Sequence, residues 1–255
     1  MTPQQSERYS RHTLLKELGE VGQEKILAAH ALVIGAGGLG SPVCYYLASS
    51  GIGKITLVDD DVVDRTNLHR QILHTDDRVG ELKALSGKKT LGKINPDVTV
   101  LALTERPDES RLHTLAADAT VVLDCTDNFA SRHAINRVCV ANKLPLVSGA
   151  TLRFDGQVSV YDMRRDDAPC YSCLFSADQP FQDRKAAEFG VFAPVVGIIG
   201  TIQAAEALKL VAGIGESLAG SLLLLDGLKM EWSRMQLDRN PDCPVCGNNA
   251  AHRAK

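Results

Sequence analysis

The sequence predicts an α/β protein in which a mainly parallel sheet, flanked by helices, is extended by antiparallel strands. Three patterns carry that expectation. Short apolar β-runs alternate with helical segments of 10 to 15 residues through the first 150 positions. A glycine-rich turn joins the first of those runs to its helix. After Ala150 the texture changes to the apolar–polar alternation of antiparallel strands.

Taken in order, residues 7–29 read as a helical arm broken at Gly19 to Gly22. Ala31–Gly35 is the first β-run, Leu39–Ser50 a helical pattern and Lys54–Asp59 the second β-run. The polar stretch Asp60–Gly80 is long for a connection between packed elements, and long ordered loops are often functional. A helix over Glu81–Ile94 stops before Asn95-Pro96, because the residue preceding proline avoids the α region. A strand near Val98–Leu103, a helix near Asp108–Ala117, the apolar β-run Val121–Asp124, a helix over Asn128–Asn142 and a short strand at Pro145–Ser148 continue the alternation. Gln157–Tyr161, Ser221–Asp226 and Met230–Leu237 read as later strands, with an apolar helix rich in glycine and alanine over Val195–Val211. No repeat, low-complexity segment or linker interrupts the chain. Residues 1–255 are therefore expected to form one domain, with an N-terminal half at 1–150 and a sheet-extending half at 151–255.

Composition narrows the function classes. The chain is 44% hydrophobic and 23% charged, which excludes wholesale disorder. Its 28 basic and 31 acidic residues leave a net charge of −3, which argues against a broad basic surface for nucleic acid. No uninterrupted apolar run approaches the roughly 18 residues of a membrane span. The polar stretch Met1–Lys16 has no signal-peptide apolar core. A soluble, cytoplasmic protein that binds no membrane is expected.

The glycine turn is the first functional motif. Gly35-Ala36-Gly37-Gly38-Leu39-Gly40 fits G-x-G-x-x-G directly after a strand and at the opening of a helix, the Rossmann-like fingerprint. Glycines there permit a tight turn and let backbone N–H groups approach phosphate at a helix N-terminus. Asp59 ends the next strand 19 residues beyond Gly40, where a carboxylate accepts hydrogen bonds from ribose. The bland alternative is a turn kept for strand–helix packing.

Three further segments favour ATP over NAD. Thr66–Gln71 in the polar loop supplies the Arg70 guanidinium among amides and hydroxyls, and Lys83 sits in the first turn of the following helix against its dipole. Asp124-Cys125-Thr126-Asp127-Asn128 closes a β-run at the carboxyl edge, where α/β sheets bind ligands. Basic groups with a carboxylate for magnesium suit a triphosphate attacked at phosphorus. The alternatives are surface charges at Arg70 and Lys83, and a helix-capping role for Asp127.

The seven cysteines divide by pattern. Cys44, Cys125 and Cys139 sit singly in apolar segments as inert buried thiols. Cys170/Cys173 and Cys243/Cys246 form two Cys-x-x-Cys pairs, and four thiolates close a tetrahedral structural Zn²⁺ site. The 69 residues between Cys173 and Cys243 require the fold to bring the pairs together. The rival is a redox dithiol, which normally follows a strand at a helix start.

These motifs together resemble the MoeB/ThiF family of sulfur-carrier-protein adenylyltransferases, relatives of the ubiquitin-activating enzymes. The likeness runs from Arg8-Tyr9-Ser10-Arg11 to Cys243-Pro244-Val245-Cys246-Gly247 and includes Gly190-Val191-Phe192-Ala193-Pro194-Val195-Val196-Gly197. Ser148-Gly149-Ala150 and Asp155-Gly156-Gln157 lean toward MoeB. The resemblance implies ATP·Mg²⁺-dependent adenylation of the C-terminal glycine of a small ubiquitin-like carrier (MoaD-like or ThiS-like) ending in Gly-Gly. It assigns nucleotide contacts to Gly35, Gly37, Gly38, Gly40, Asp59, Asp61, Asn67, Arg70, Gln71, Lys83, Asp127 and Asn128, with Asp127 holding magnesium. Arg70, Lys83 and Asp127 are the implied catalytic groups, with Arg11, which would reach a neighbouring subunit's nucleotide in a homodimer. Both cysteine pairs belong to the family's zinc site.

The sequence departs from the family at one place. Relatives commonly carry a cysteine four residues before the first glycine of the Gly-Val-x-x-Pro-Val-x-Gly segment, and here that position is Ala186. Alanine has no nucleophile, so a covalent enzyme–carrier link at this position is excluded, while adenylation needs only the carrier's carboxylate. Sulfur would then come from a separate sulfurtransferase or cysteine desulfurase. The competing readings are a tRNA-modifying ATP-dependent dehydratase of the same superfamily, an NAD-dependent oxidoreductase, and a non-catalytic carrier-binding scaffold.

Overall fold

Strands alternate with helices as the pattern requires, and together they build one eight-stranded sheet. A computed structural model describes residues 1–177 and 186–248. The strands are β1 (His30–Ile34), β2 (Lys54–Val58), β3 (Thr99–Leu103), β4 (Val121–Asp124), β5 (Pro145–Leu152), β6 (Asp155–Asp162), β7 (Ser221–Asp226) and β8 (Glu231–Gln236). Their order across the sheet is β3-β2-β1-β4-β5-β6-β7-β8. The β3–β2, β2–β1, β1–β4 and β4–β5 pairs are parallel, and β5 through β8 pair antiparallel. β1 and β4 are buried along their whole length, as central parallel strands covered on both faces must be.

Helices cover both faces. α3 (Gly19–Ala28), α4 (Gly40–Ser49), α5 (Lys83–Ile94) and the core helix α10 (Ala193–Ala212) supply one face's hydrophobic cluster. α6 (Glu109–Ala116), α7 (Phe129–Ala141) and the one-turn helix α8 (Tyr171–Leu174) supply the other. α10 is long and apolar enough to cross a membrane, with a mean hydropathy of 1.6, but it packs against α3, α4, β5 and β6 as an internal helix.

Four details differ from the sequence reading. The N-terminal arm is α1 (Pro3–Arg8), α2 (Ser10–Thr13) and α3, so its break falls over residues 14–18, before Gly19 and not between Gly19 and Gly22. Gly22 lies buried within α3. Second, β5 continues past Ser148 to Leu152, because its second half, beyond the reach of β4, is paired by β6. Third, α8 and α9 (Ala186–Phe189) are four residues each, too short for a helical period to register. Fourth, Tyr9 is a buried anchor for the arm. Its ring lies over Gly51, where a Cβ would stand 2.3 Å from the hydroxyl oxygen, and that oxygen accepts from Asn95 Nδ2 at 2.8 Å.

Parallel register positions the site. Ile34 lies opposite both Val58 and Asp124, so β1, β2 and β4 finish level. Gly35, Asp59 and Cys125 then emerge side by side, at the point where the strand order reverses about β1.

Candidate nucleotide site and thiolate cluster

A cavity of about 1010 Å³ opens at that edge. The glycine turn forms its floor. Gly35 has φ +101°, and a Cβ there would stand 2.7 Å from the Cys125 carbonyl oxygen, so only glycine fits. Gly40 lies behind the turn rather than in the lining; its Cβ would meet the Gly35 carbonyl oxygen at 1.9 Å. Gly37 and Gly38 line the cavity. Among the described residues, no hydrogen bond occupies the N–H groups of Gly37, Gly38 or Leu39. Unpaired N–H groups at the start of a helix such as α4 are a geometry that suits an anion.

Asp59 fixes the same turn from β2. Its Oδ2 accepts from Ala36 N at 2.7 Å and its Oδ1 from Asp61 N at 2.9 Å. Burial raises its pKa above the ordinary carboxylate range, against the pull of Lys83 and of those two N–H groups. Lys83 is not a solvated surface charge. It is 5% exposed at the first position of α5, and its Nζ lies 2.9 Å from the exposed Asp61 carboxylate. An anionic partner offsets the dipole penalty that the sequence flagged.

Arg70 is half-buried in the lining, and its Nη2 donates to Asn67 Oδ1 at 2.8 Å. Burial lowers its pKa, and the facing Asp127 opposes that shift. Asn67 itself lies outside the lining and acts on the cavity through Arg70. Gln71 is buried in the lining, and its Oε1 has no partner among the described residues. The helix cap is Asn128, whose Oδ1 accepts from Ser131 N at 2.9 Å. That leaves Asp127 exposed on the cavity wall, free of the capping role considered from sequence.

Two further residues steady this turn and went unread in the sequence. Buried Asp124 accepts from Thr126 N at 3.0 Å, Thr126 Oγ1 at 2.7 Å and Ser148 Oγ at 2.9 Å. Arg132, one turn into α7, donates from Nη2 to the Thr126 carbonyl at 2.9 Å. An arginine one turn after a capping asparagine is the only sequence signal for it. Away from the glycine turn the cavity continues along Ala150, Asp155, Gly156, Gln157 and Leu224 of the antiparallel strands. Arg11 lies exposed on α2 and is absent from the lining of its own chain's cavity.

The two cysteine pairs converge although 69 residues separate them in sequence. The Sγ atoms of Cys170, Cys173, Cys243 and Cys246 all lie within 4.8 Å of one another. Cys170–Cys243 is 3.7 Å, Cys173–Cys246 3.4 Å and Cys170–Cys173 4.0 Å. Tetrahedral Zn–S bonds of about 2.3 Å place sulfurs roughly 3.8 Å apart, so the donor set and its size fit zinc. Cys173 is drawn down in pKa by hydrogen bonds from Cys170 and Cys246, while Cys170, holding its proton against Cys173, is pushed up. Four sulfurs this close cannot all ionise without a cation. The first pair opens the one-turn helix α8, but that helix does not directly follow a strand as in a redox dithiol, and its thiols face the second pair as a metal site requires. Burial raises the pKa of Cys44, Cys125 and Cys139, Cys44 to about 12, as expected of inert thiols. Ala186 begins α9, and residues 178–185 before it lie outside the described residues.

Glycine turn, carboxylate-ended β2 and topological switch define a nucleotide-binding protein of the Rossmann-like α/β class. The chain belongs to the ThiF family, whose sequence pattern matches residues 9–245. It is 44% identical over 244 residues to the SAMP-activating enzyme E1 of Haloferax volcanii, covering 95% of this chain and 89% of that protein. It is 41% identical over 249 residues to the molybdopterin-synthase adenylyltransferase of Escherichia coli, covering 97% and 98%. The crystal structure of E. coli MccB with ATP superposes with a TM-score of 0.81 at 28% identity, covering 94% of this chain and 75% of that one.

Proposed function

We propose that the protein is an adenylyltransferase that activates the C-terminal glycine of a small ubiquitin-like sulfur carrier with ATP and magnesium. One observation carries the reading: a single cavity joins the anion-binding glycine turn to a channel along β5, β6 and β7. A triphosphate on the turn and a flexible carrier tail in the channel meet inside it. The 1–150 half then holds ATP and the 151–255 half holds the carrier and zinc. The family's match and its adenylyltransferase relatives support this over an NAD-dependent oxidoreductase, which leaves Arg70, Lys83 and Asp127 without a shared purpose.

The carrier's carboxylate oxygen attacks the α-phosphorus, the bond to the bridging oxygen breaks, and pyrophosphate departs with that electron pair. No proton transfer is needed, so the residues position and neutralise charge. The N–H groups of Gly37 and Gly38 receive phosphate, Asp59 accepts from ribose, and Arg70 and Lys83 neutralise the departing pyrophosphate. Magnesium, held by Asp127, supplies further charge neutralisation at the phosphates. Asp61 releases part of Lys83's charge to the nucleotide, and Gln71 offers its unpartnered Oε1. The protein works as a cytoplasmic homodimer in which Arg11 enters the neighbouring nucleotide site. The tetrathiolate cluster holds one structural zinc. With alanine at 186, no thioester or persulfide forms there.

Carrier-dependent exchange of labelled pyrophosphate into ATP tests the reading, with MoaD-like and ThiS-like carriers assayed separately. Exchange is expected with one of them, and Asp127→Ala should reduce it by at least about a hundredfold with zinc content and melting temperature unchanged. A wild-type protein that binds ATP but exchanges with neither carrier would overturn it.

A further inference from the structure

One buried titratable residue beside the glycine turn has no part in the roles above. His74 is 5% exposed and lies three residues beyond Gln71. Its Nε2 stands 2.8 Å from the Ala36 carbonyl oxygen and its Nδ1 3.0 Å from Ser86 Oγ. A carbonyl can only accept, so Nε2 carries the proton. Burial lowers the His74 pKa, Lys83 and Arg78 add to that, and the bond to Ala36 opposes it. The neutral ring therefore accepts a hydrogen bond from the Ser86 hydroxyl at Nδ1. Ser86 in turn is held by Arg78, whose Nη1 donates to the Ser86 carbonyl at 2.8 Å and to Thr90 Oγ1 at 2.7 Å.

Peptide geometry gives this chain of bonds a consequence. In a trans peptide the C=O and N–H point in opposite directions. His74 draws the Ala36 carbonyl into the protein, so the N–H of the same peptide, that of Gly37, faces the other way. The next peptide is fixed similarly: the Gly37 carbonyl accepts from Ser41 N at 2.9 Å and Ser41 Oγ at 2.6 Å, and this turns the Gly38 N–H outward. Ser86 sits on the first turn of α5, whose first residue is Lys83. The strut thus ties two phosphate-facing groups together across the cavity floor.

We propose that His74, backed by Ser86 and Arg78, is a positioning residue that locks the Ala36–Gly37 peptide with its N–H presented to phosphate. This rests on the ATP reading above. A packing histidine needs no second directional bond, and a ring of similar size without nitrogens fills the same space.

The test is equilibrium binding of ATP and of adenosine, separately, to the full chain with zinc present. His74→Phe keeps much of the volume and removes the donor, and should weaken ATP about five- to tenfold, the loss of one phosphate-facing hydrogen bond, while adenosine affinity stays within about twofold. His74→Gln, which carries an N–H₂ near the position of Nε2, should recover ATP binding to within about threefold of wild type. Equal losses for ATP and adenosine, or no loss for ATP, would overturn the strut and leave the ATP reading intact. A wild-type protein that binds adenosine no more weakly than ATP would overturn both.

Discussion

Asp59 shows how one residue serves the site at a cost to the fold. Its carboxylate accepts two N–H bonds while buried, and burial raises its folded pKa above the unfolded value. A carboxyl so shifted binds its proton more tightly when folded. Its contribution to stability is therefore fully present at acid pH and is lost as pH rises through the folded pKa. The ionised group therefore costs the fold stability, a cost that the proposed contact with ribose would account for. Asp59→Asn should weaken ATP by at least about tenfold in a binding titration while the melting temperature at pH 7 does not fall. In the wild type, ATP affinity should decline on acidification in a window above the usual Asp range near pH 4, and Asp59→Asn should lack that decline. The sequence disclosed Asp59 by its distance from the glycines. It could not disclose that Lys83 is buried, because position in a first helical turn says nothing of what packs over it.

At the scale of an element, α7 links the two sites. Asn128 caps it beside Asp127, Arg132 bonds the Thr126 carbonyl one turn in, and Asn136 reaches the cysteine knuckle a turn later. Asn136 is fully buried. Its Nδ2 contacts Cys170 Sγ at 3.6 Å and Ser172 Oγ at 3.1 Å, while its Oδ1 accepts from Tyr171 N at 2.9 Å. An amide beside a thiolate stabilises its charge and orients it toward a metal. Asn136→Leu, similar in volume, should lower zinc affinity by about 10- to 100-fold in competition against a chromogenic chelator. The helix itself is plain from its period, bounded at Asn128 and Asn142 in sequence against Phe129–Ala141 in the structure. Its inward polar residues are not, since Asn136 and Arg132 look like surface residues until α8 and the Asp124 turn cover them.

Across the whole molecule, the four-cysteine cluster fastens the chain's last described turn, at Cys243 and Cys246, to α8 and through it to α7. Removing the proposed zinc leaves four crowded sulfurs and an untied segment. Chelation should lower the melting temperature in a single cooperative step and weaken ATP binding, with both restored by stoichiometric zinc, as followed by calorimetry. The order of residues alone was enough for the sheet class, the succession of its strands and longer helices, the glycine turn with Asp59, and both cysteine pairs. Those signals lie along the chain itself: a period, a turn residue, a spacing of two within each cysteine pair and of 19 from Gly40 to Asp59. Packing was needed to establish that β5 runs on with β6, that Asn128 and not Asp127 caps α7, and that His74 reaches back 38 residues to the Ala36 carbonyl. Each of those depends on which distant backbone group is left needing a partner, and the chain settles that only when its strands and helices come together.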